Sequence, residues 1–204
     1  MSKEIRSIKS ELRVAADGSG GVLKGYAVAY DSLSGPIPGM RGMFREKFKR
    51  GAFAACLKRG DEIHCFANHD VRSVLGRTGN GTLSVREDAY GLFFDCQLPD
   101  TTTAQDMRKL VLRGDINAMS FGFEDAEDIW SEGEDENGMR CAIRTVLAAK
   151  VFEVSPVTFP AYPVGTSVSA RSRLANYSGV NVSEAEEKEI WRLAFDLQMR
   201  RDGF

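Results

Sequence analysis

The sequence predicts an α+β domain, rich in β-structure, with a tethered C-terminal helix. Three observations carry this prediction. Short stretches alternate polar and apolar residues, the two-residue period of a half-buried strand, and glycine, Asn-Gly and proline turns divide them. Two segments, near 51–58 and after Pro99, carry helix boundaries instead. A last segment from Ser183 has a helical apolar face behind a polar, small-residue stretch. Strands without a regular βαβ alternation belong to α+β rather than α/β architecture.

The elements follow in order. Glu11–Val14 and Val22–Tyr30 alternate on either side of a turn at Asp17–Gly21, which predicts a hairpin. Residues 31–43 are rich in Gly, Pro and Ser and read as a long loop. Phe44, Phe48, Phe53 and Leu57 form a helical stripe broken at Gly51, so a helix is expected over 51–58, stopping at Gly60. Ile63–Ala67 is a strand emptying into the loop Asn68-His69-Asp70. Asn80-Gly81 marks a tight turn before strands at Thr82–Glu87 and Gly91–Leu98. Pro99 to Thr102 open a helix in which Met107, Leu110, Val111 and Leu112 form the buried side and Gly114 the stop. A loop then enters a strand over 116–123. The acidic run 124–137 reads as a solvated hairpin tip, followed by extended runs at Arg140–Ala148 and Val151–Phe159. Pro156, Pro160 and Pro163 are expected to stop regular structure. This divides the chain into a domain over 1–166, a linker over 167–182 and a helix over 183–204. In that helix the early Glu184, Glu186 and Glu187 and the late Arg200 and Arg201 complement the dipole. Its apolar face of Ile190, Leu193, Ala194 and Leu197 packs on its own domain or on a second copy or partner.

Composition excludes several function classes. The 204 residues are 43% hydrophobic, enough for a sizeable core. Lys and Arg number 27 against 29 Asp and Glu, so no basic surface for nucleic acid is expected. The longest apolar runs fall well short of the roughly 20 residues of a membrane span. Met1–Glu4 lacks a signal-peptide pattern, so the expectation is an intracellular protein. Cys56, Cys65, Cys96 and Cys141 are scattered, without a C-x-x-C pair and with only His64 and His69 to join them. No metal site and no cofactor is expected, and the cysteines read as buried thiols.

Acyl transfer needs a nucleophile, a base and a group that orients the base. His64 lies on a strand, on the face opposite Ile63 and Cys65, whereas His69 sits after that strand, where loops present functional groups. A surface histidine is the plain reading of each. Ser120 lies in Ala118-Met119-Ser120-Phe121-Gly122, which has the look of a G-x-S-x-G elbow. That elbow needs a strand before the serine and a helix after it, the reverse of the order here, so an α/β-hydrolase is not expected. Glu153 is a carboxylate in the apolar segment Val151-Phe152-Glu153-Val154, where it must reach solvent or a partner. A cysteine nucleophile at Cys65 is disfavoured by its apolar run.

Several separated motifs, taken together, resemble the prohead protease family of tailed bacteriophages over about residues 10–170. They are Gly51-Ala52-Phe53, Asn68-His69-Asp70 with Leu75-Gly76, Arg113-Gly114-Asp115-Ile116, Met119-Ser120-Phe121-Gly122-Phe123, and Glu153-Val154-Ser155-Pro156-Val157-Thr158-Phe159-Pro160-Ala161-Tyr162-Pro163. The resemblance implies a capsid-maturation serine endopeptidase related in fold to herpesvirus assembly proteases, with a barrel-like β core surrounded by a few helices. It implies Ser120 as nucleophile, His69 as base and Glu153 as the orienting acid. Asp70 is the rival for that last role, although adjacent residues on an extended chain point apart. Backbone N–H groups near Ser120, Arg77 or Arg113 are the candidates for stabilising an oxyanion. The implied substrates are capsid and scaffold segments, cut inside the assembling prohead in the host cytoplasm; the polar linker over 167–182 separately predicts self-cleavage. A non-catalytic scaffold-binding protein of the same fold is the competing expectation.

Overall fold

Residues 3–9, 12–15, 21–39, 42–135 and 138–158 are described by the computed structural model of the chain. The expected linker at 167–182 and helix at 183–204 lie outside them. The described residues form an α+β fold of two open sheets and two α-helices. The barrel-like core expected from the resemblance therefore appears as two sheets that do not close. No helix among the described residues is long and apolar enough to cross a membrane.

The smaller sheet is antiparallel, in the order β2 (Arg13–Ala15), β3 (Val22–Ala29), β9 (Gly91–Gln97) and β8 (Leu83–Glu87). Both of its expected hairpins are present. The turn before β8 is a short 3-10 segment, Thr78–Asn80, closed by Gly81 at φ 77°.

The larger sheet is built on two long strands, β10 (Ala118–Glu134) and β11 (Arg140–Val157), paired antiparallel along their length. Outside β10 lies β1 (Glu4–Lys9), also antiparallel. On its other side β11 is shared. Its first half pairs parallel with β5 (Gly42–Phe48), itself paired with β4 (Ile37–Gly39), while Glu153 and Val154 pair parallel with β6 (His64–Ala67). β6 turns directly into the antiparallel β7 (Asp70–Arg77).

Several expectations are corrected here. Phe44 and Phe48 belong to strand β5, not to a helical stripe, and β4 lies within the expected loop 31–43. The helix near 51–58 is the shorter α1 (Ala54–Arg59), capped as expected by left-handed Gly60. The acidic run is not only a tip, because β10 continues through it to Glu134. Pro156 does not stop the strand. It sits in β11 opposite Met119, beyond the two residues that pair with β6, where the missing N–H breaks no ladder on that side. Helix α2 (Thr102–Arg113) keeps its predicted ends: Thr101 Oγ1 accepts from the Ala104 N–H, and Gly114 adopts φ 82°. It buries Ala104, Met107 and Val111, whereas Leu112 points to solvent.

One apolar core holds both sheets and both helices. Leu23, Leu92 and Phe94 come from the small sheet; Met119, Phe121, Phe123, Val151 and Val154 come from β10 and β11. Phe48, Phe53, Phe121 and Phe123 pack as an aromatic group with centroids 5.3–6.2 Å apart. The first seven residues of β10 are buried on both faces, and Ser120 is among them.

Candidate active site

A two-residue turn presents the histidine. Ala67 pairs with Asp70, and between them Asn68 and His69 adopt φ values of 52° and 60°. Turns of this hand match the twist of the flanking strands, although left-handed backbone costs energy for a residue with a Cβ. Hydrogen bonds offset that cost. The Asn68 N–H donates to the Pro156 carbonyl at 3.0 Å, and Asn68 Oδ1 accepts from the Thr158 N–H at 2.8 Å and from the Thr158 hydroxyl at 3.2 Å. The end of β11 thus fixes the turn from below.

The His69 ring meets Glu153, which projects from β11. Nδ1 lies 2.5 Å from Glu153 Oε1, with the Glu153 side chain only 6% exposed. Where the Glu153 carboxylate is the acceptor, the imidazole proton of this bond lies on Nδ1 and Nε2 keeps its lone pair. Asp70 is engaged elsewhere. Its carboxylate accepts from the Arg72 N–H and Nε–H and from the Ser73 hydroxyl. Those bonds, led by the backbone one, hold its carboxyl below the usual range.

Gly122 makes room for the carboxylate. It is the cross-strand partner of Glu153. A Cβ there would stand 2.5 Å from the Phe152 ring and 2.8 Å from Glu153 Cγ. The glycine of Met119-Ser120-Phe121-Gly122-Phe123 is therefore a packing requirement of the neighbouring strand.

Ser120 stands two pairs along, opposite Ser155 on β11 and Ser7 on β1. Residues opposite each other in antiparallel strands project to one face, so Ser120, Gly122, Glu153 and Ser155 share a face of the sheet, away from the core side of Met119, Phe121 and Val154. Ser120 is fully buried, and its hydroxyl donates to the Arg6 carbonyl at 3.0 Å.

The Arg6 side chain belongs to an ion network. Arg6 Nε lies 2.6 Å from Glu46 Oε1, and Arg144 bridges Glu46, Glu4 and Asp128 at 3.0, 2.5 and 2.6 Å. Glu46 is 1% exposed; burial pushes its carboxyl up, and Arg6 and Arg144 pull it back only in part. Burial also opposes the charge on Arg144, but its bonds to Glu4 and Asp128 outweigh this and raise its pKa. A buried network of this kind fixes geometry more reliably than it adds stability.

The remaining candidates fall outside this arrangement. Arg77 pairs with Glu62 at 2.6 Å and Arg113 with Asp115, both on the surface. The ring of His64 stacks on Phe66 at 5.4 Å, on the face opposite Cys65. Cys65 is buried in the core; its bond to Cys96, together with burial, raises its pKa well above that of a free thiol, so it stays protonated. All four cysteines are free thiols. No group of three His, Cys, Asp or Glu side chains among the described residues is placed to hold a metal ion.

Ser155, Gly122, Asn68 and Arg6 carry the geometry of this region and received no role from sequence. For Ser155 and Gly122 a signal existed. Two-residue periodicity puts Ser155 on the same face as Glu153, and pairing places Gly122 across from it.

A family model described as Caudovirus prohead serine protease matches residues 7–179. No curated protein and no solved structure matches. The matched span contains both sheets except the first three residues of β1, together with the His69–Glu153 contact and the Ser120 strand, and the chain belongs to the caudovirus prohead serine protease family.

Proposed function

We propose that Ser120 is the nucleophile, His69 its general base and Glu153 the group that orients His69, in an endopeptidase that cuts capsid and scaffold segments inside the assembling prohead. The observation that carries this reading is the 2.5 Å contact between His69 Nδ1 and buried Glu153, beside the strand that bears Ser120. In this reading the Ser120 hydroxyl turns from the Arg6 carbonyl toward His69 Nε2, which takes its proton as Oγ attacks the scissile carbonyl. The imidazolium, stabilised by Glu153, then protonates the leaving amine. Water enters and loses a proton to His69 as its oxygen bonds the acyl carbon; the C–Oγ bond then breaks, and His69 returns the proton to Ser120 Oγ. Self-cleavage falls in the polar segment 167–182, and accumulation of a shortened chain during long incubation is its expected sign.

A serine-directed fluorophosphonate tests the reading. The expected result is one label, mapped to Ser120, and loss of substrate cleavage in Ser120→Ala with an unaltered melting curve. The complete burial of Ser120 and its bond to Arg6 favour a second reading, a non-catalytic assembly module of the same fold. Labelling nowhere, together with unchanged processing by Ser120→Ala, would select that one.

A further inference from the structure

Ser155 stands out among the buried groups that the mechanism above does not use. It is 0% exposed, and its hydroxyl oxygen has no hydrogen-bond partner among the described residues. Buried hydroxyls are nearly always bonded, because an unmade bond in a dry interior costs free energy. A hydroxyl left in this state calls for an explanation, and its position supplies one. Ser155 is the cross-strand partner of Ser120 and lies two residues from Glu153 on the same face of the sheet. Directly opposed residues have Cβ atoms about 4.5–5.5 Å apart, so the two hydroxyls can approach a common point above the strands.

We infer that the Ser155 hydroxyl is the side-chain donor to the oxyanion that forms when Ser120 attacks a carbonyl. This inference rests on Ser120 being the nucleophile. The step is balanced as follows: the Ser120 Oγ–C bond forms, the Ser120 proton passes to His69 Nε2, and the π pair of the carbonyl moves onto its oxygen. On collapse that pair returns and the C–N bond breaks, with the His69 proton going to the amine. The oxygen bearing the pair is one bond from the carbon held by Ser120, whose cross-strand partner Ser155 has a donor to give. Arg77 and Arg113 are engaged with Glu62 and Asp115 on the surface, whereas the Ser155 hydroxyl is buried and uncommitted.

The test needs no identified substrate. A fluorophosphonate is attacked at phosphorus by Ser120 Oγ, fluoride leaves with its bonding pair, and the phosphoryl oxygen gathers charge where the carbonyl oxygen would. Rates of labelling at Ser120 are measured on the full chain for wild type, S155A, S155T and S155C, with a melting curve for each. Removing one oxyanion donor typically slows reaction about 10²–10³-fold, so S155A should label that much more slowly. It should melt at the same temperature or higher, since it loses an unbonded hydroxyl. S155T should recover most of the lost rate and S155C much less. Labelling of S155A at the wild-type rate overturns the inference and leaves Ser120 as nucleophile. A fall in melting temperature that accompanies the loss of rate, without recovery in S155T, also overturns it, by showing a structural role. If wild type takes no label at Ser120, the nucleophile assignment fails and this inference with it.

Discussion

Replacing Glu153 by glutamine keeps the shape of the side chain and removes its charge, which isolates what the carboxylate does for His69. The bond is 2.5 Å long and the Glu153 side chain is 6% exposed, so little solvent is present to replace it. A hydrogen bond to a charged group contributes about 1.5–3 kcal/mol, and at ~1.4 kcal/mol per decade its loss slows the reaction roughly 10- to 150-fold. The amide can also present its NH2 group, forcing the imidazole proton onto Nε2, where it blocks proton abstraction. The analogous substitution in another serine protease lowers turnover about 10⁴-fold by this tautomer error, which sets the upper bound. Glu153→Gln should therefore label with a fluorophosphonate between about 10 and 10⁴ times more slowly than wild type. Asp70→Asn, whose carboxylate accepts from Arg72 and Ser73 among the described residues, should stay near wild type. A Glu153→Gln protein reacting within twofold of wild type, while His69→Ala is inert, would refute the assignment of Glu153. So would a large loss confined to Asp70→Asn.

Three further outcomes are expected. Gly122→Ala places a Cβ against Phe152 and Glu153, and overpacking of this kind costs about 1–3 kcal/mol; chemical denaturation should show that loss together with slower labelling. Arg144→Met leaves buried Glu46 with fewer partners, and breaking a buried ion network by removing one member costs about 3–5 kcal/mol, measurable as a lower denaturation midpoint. The third concerns acid. The Tyr26 hydroxyl donates to Asp88 at 2.8 Å and, as the leading cause, holds the Asp88 carboxyl below its ordinary value. A depressed carboxyl stabilises the fold above the unfolded value of about 3.9, and that stabilisation is lost as pH falls through the lower folded value. Tyr26→Phe should thus melt at a lower temperature than wild type at neutral pH, with the gap narrowing as the pH drops below about 4.

Much of the fold was legible because local chemistry and tertiary structure agree. Thr101 and Gly114 mark the ends of α2 by capping alone, and the hairpins β2–β3 and β8–β9 announce themselves by alternation. Where they failed, the reasons are specific. Phe44 and Phe48 are four residues apart, a spacing that shares a face in a helix and in a strand alike. The acidic residues after Phe123 read as a tip because nothing local announces that β11 will pair with them as far as Glu134. β1 carries Glu4 and Arg6, whose inward placement depends on Glu46 and Arg144 from distant strands. The proposed site residues His69, Ser120 and Glu153 were singled out through motif order. The turn that lifts His69 was missed because Asn-His is not one of the usual turn pairs, and Ser155 was missed because an unbonded hydroxyl is a property of three dimensions.

The clamp between β11 and the Asn68–His69 turn has a mechanical consequence. Pro156 and Thr158 grip Asn68, and Glu153, three residues from Pro156 on the same strand, grips His69. The proposed base and its orienting acid are thus referenced to one piece of backbone. Ser120 rides on a different strand, tied to that frame through its pairing with Ser155. In the proposed mechanism the approach of serine to base therefore depends on how β10 lies against β11, and the register shift between Gly122 and Phe123 falls next to the Gly122–Glu153 pair.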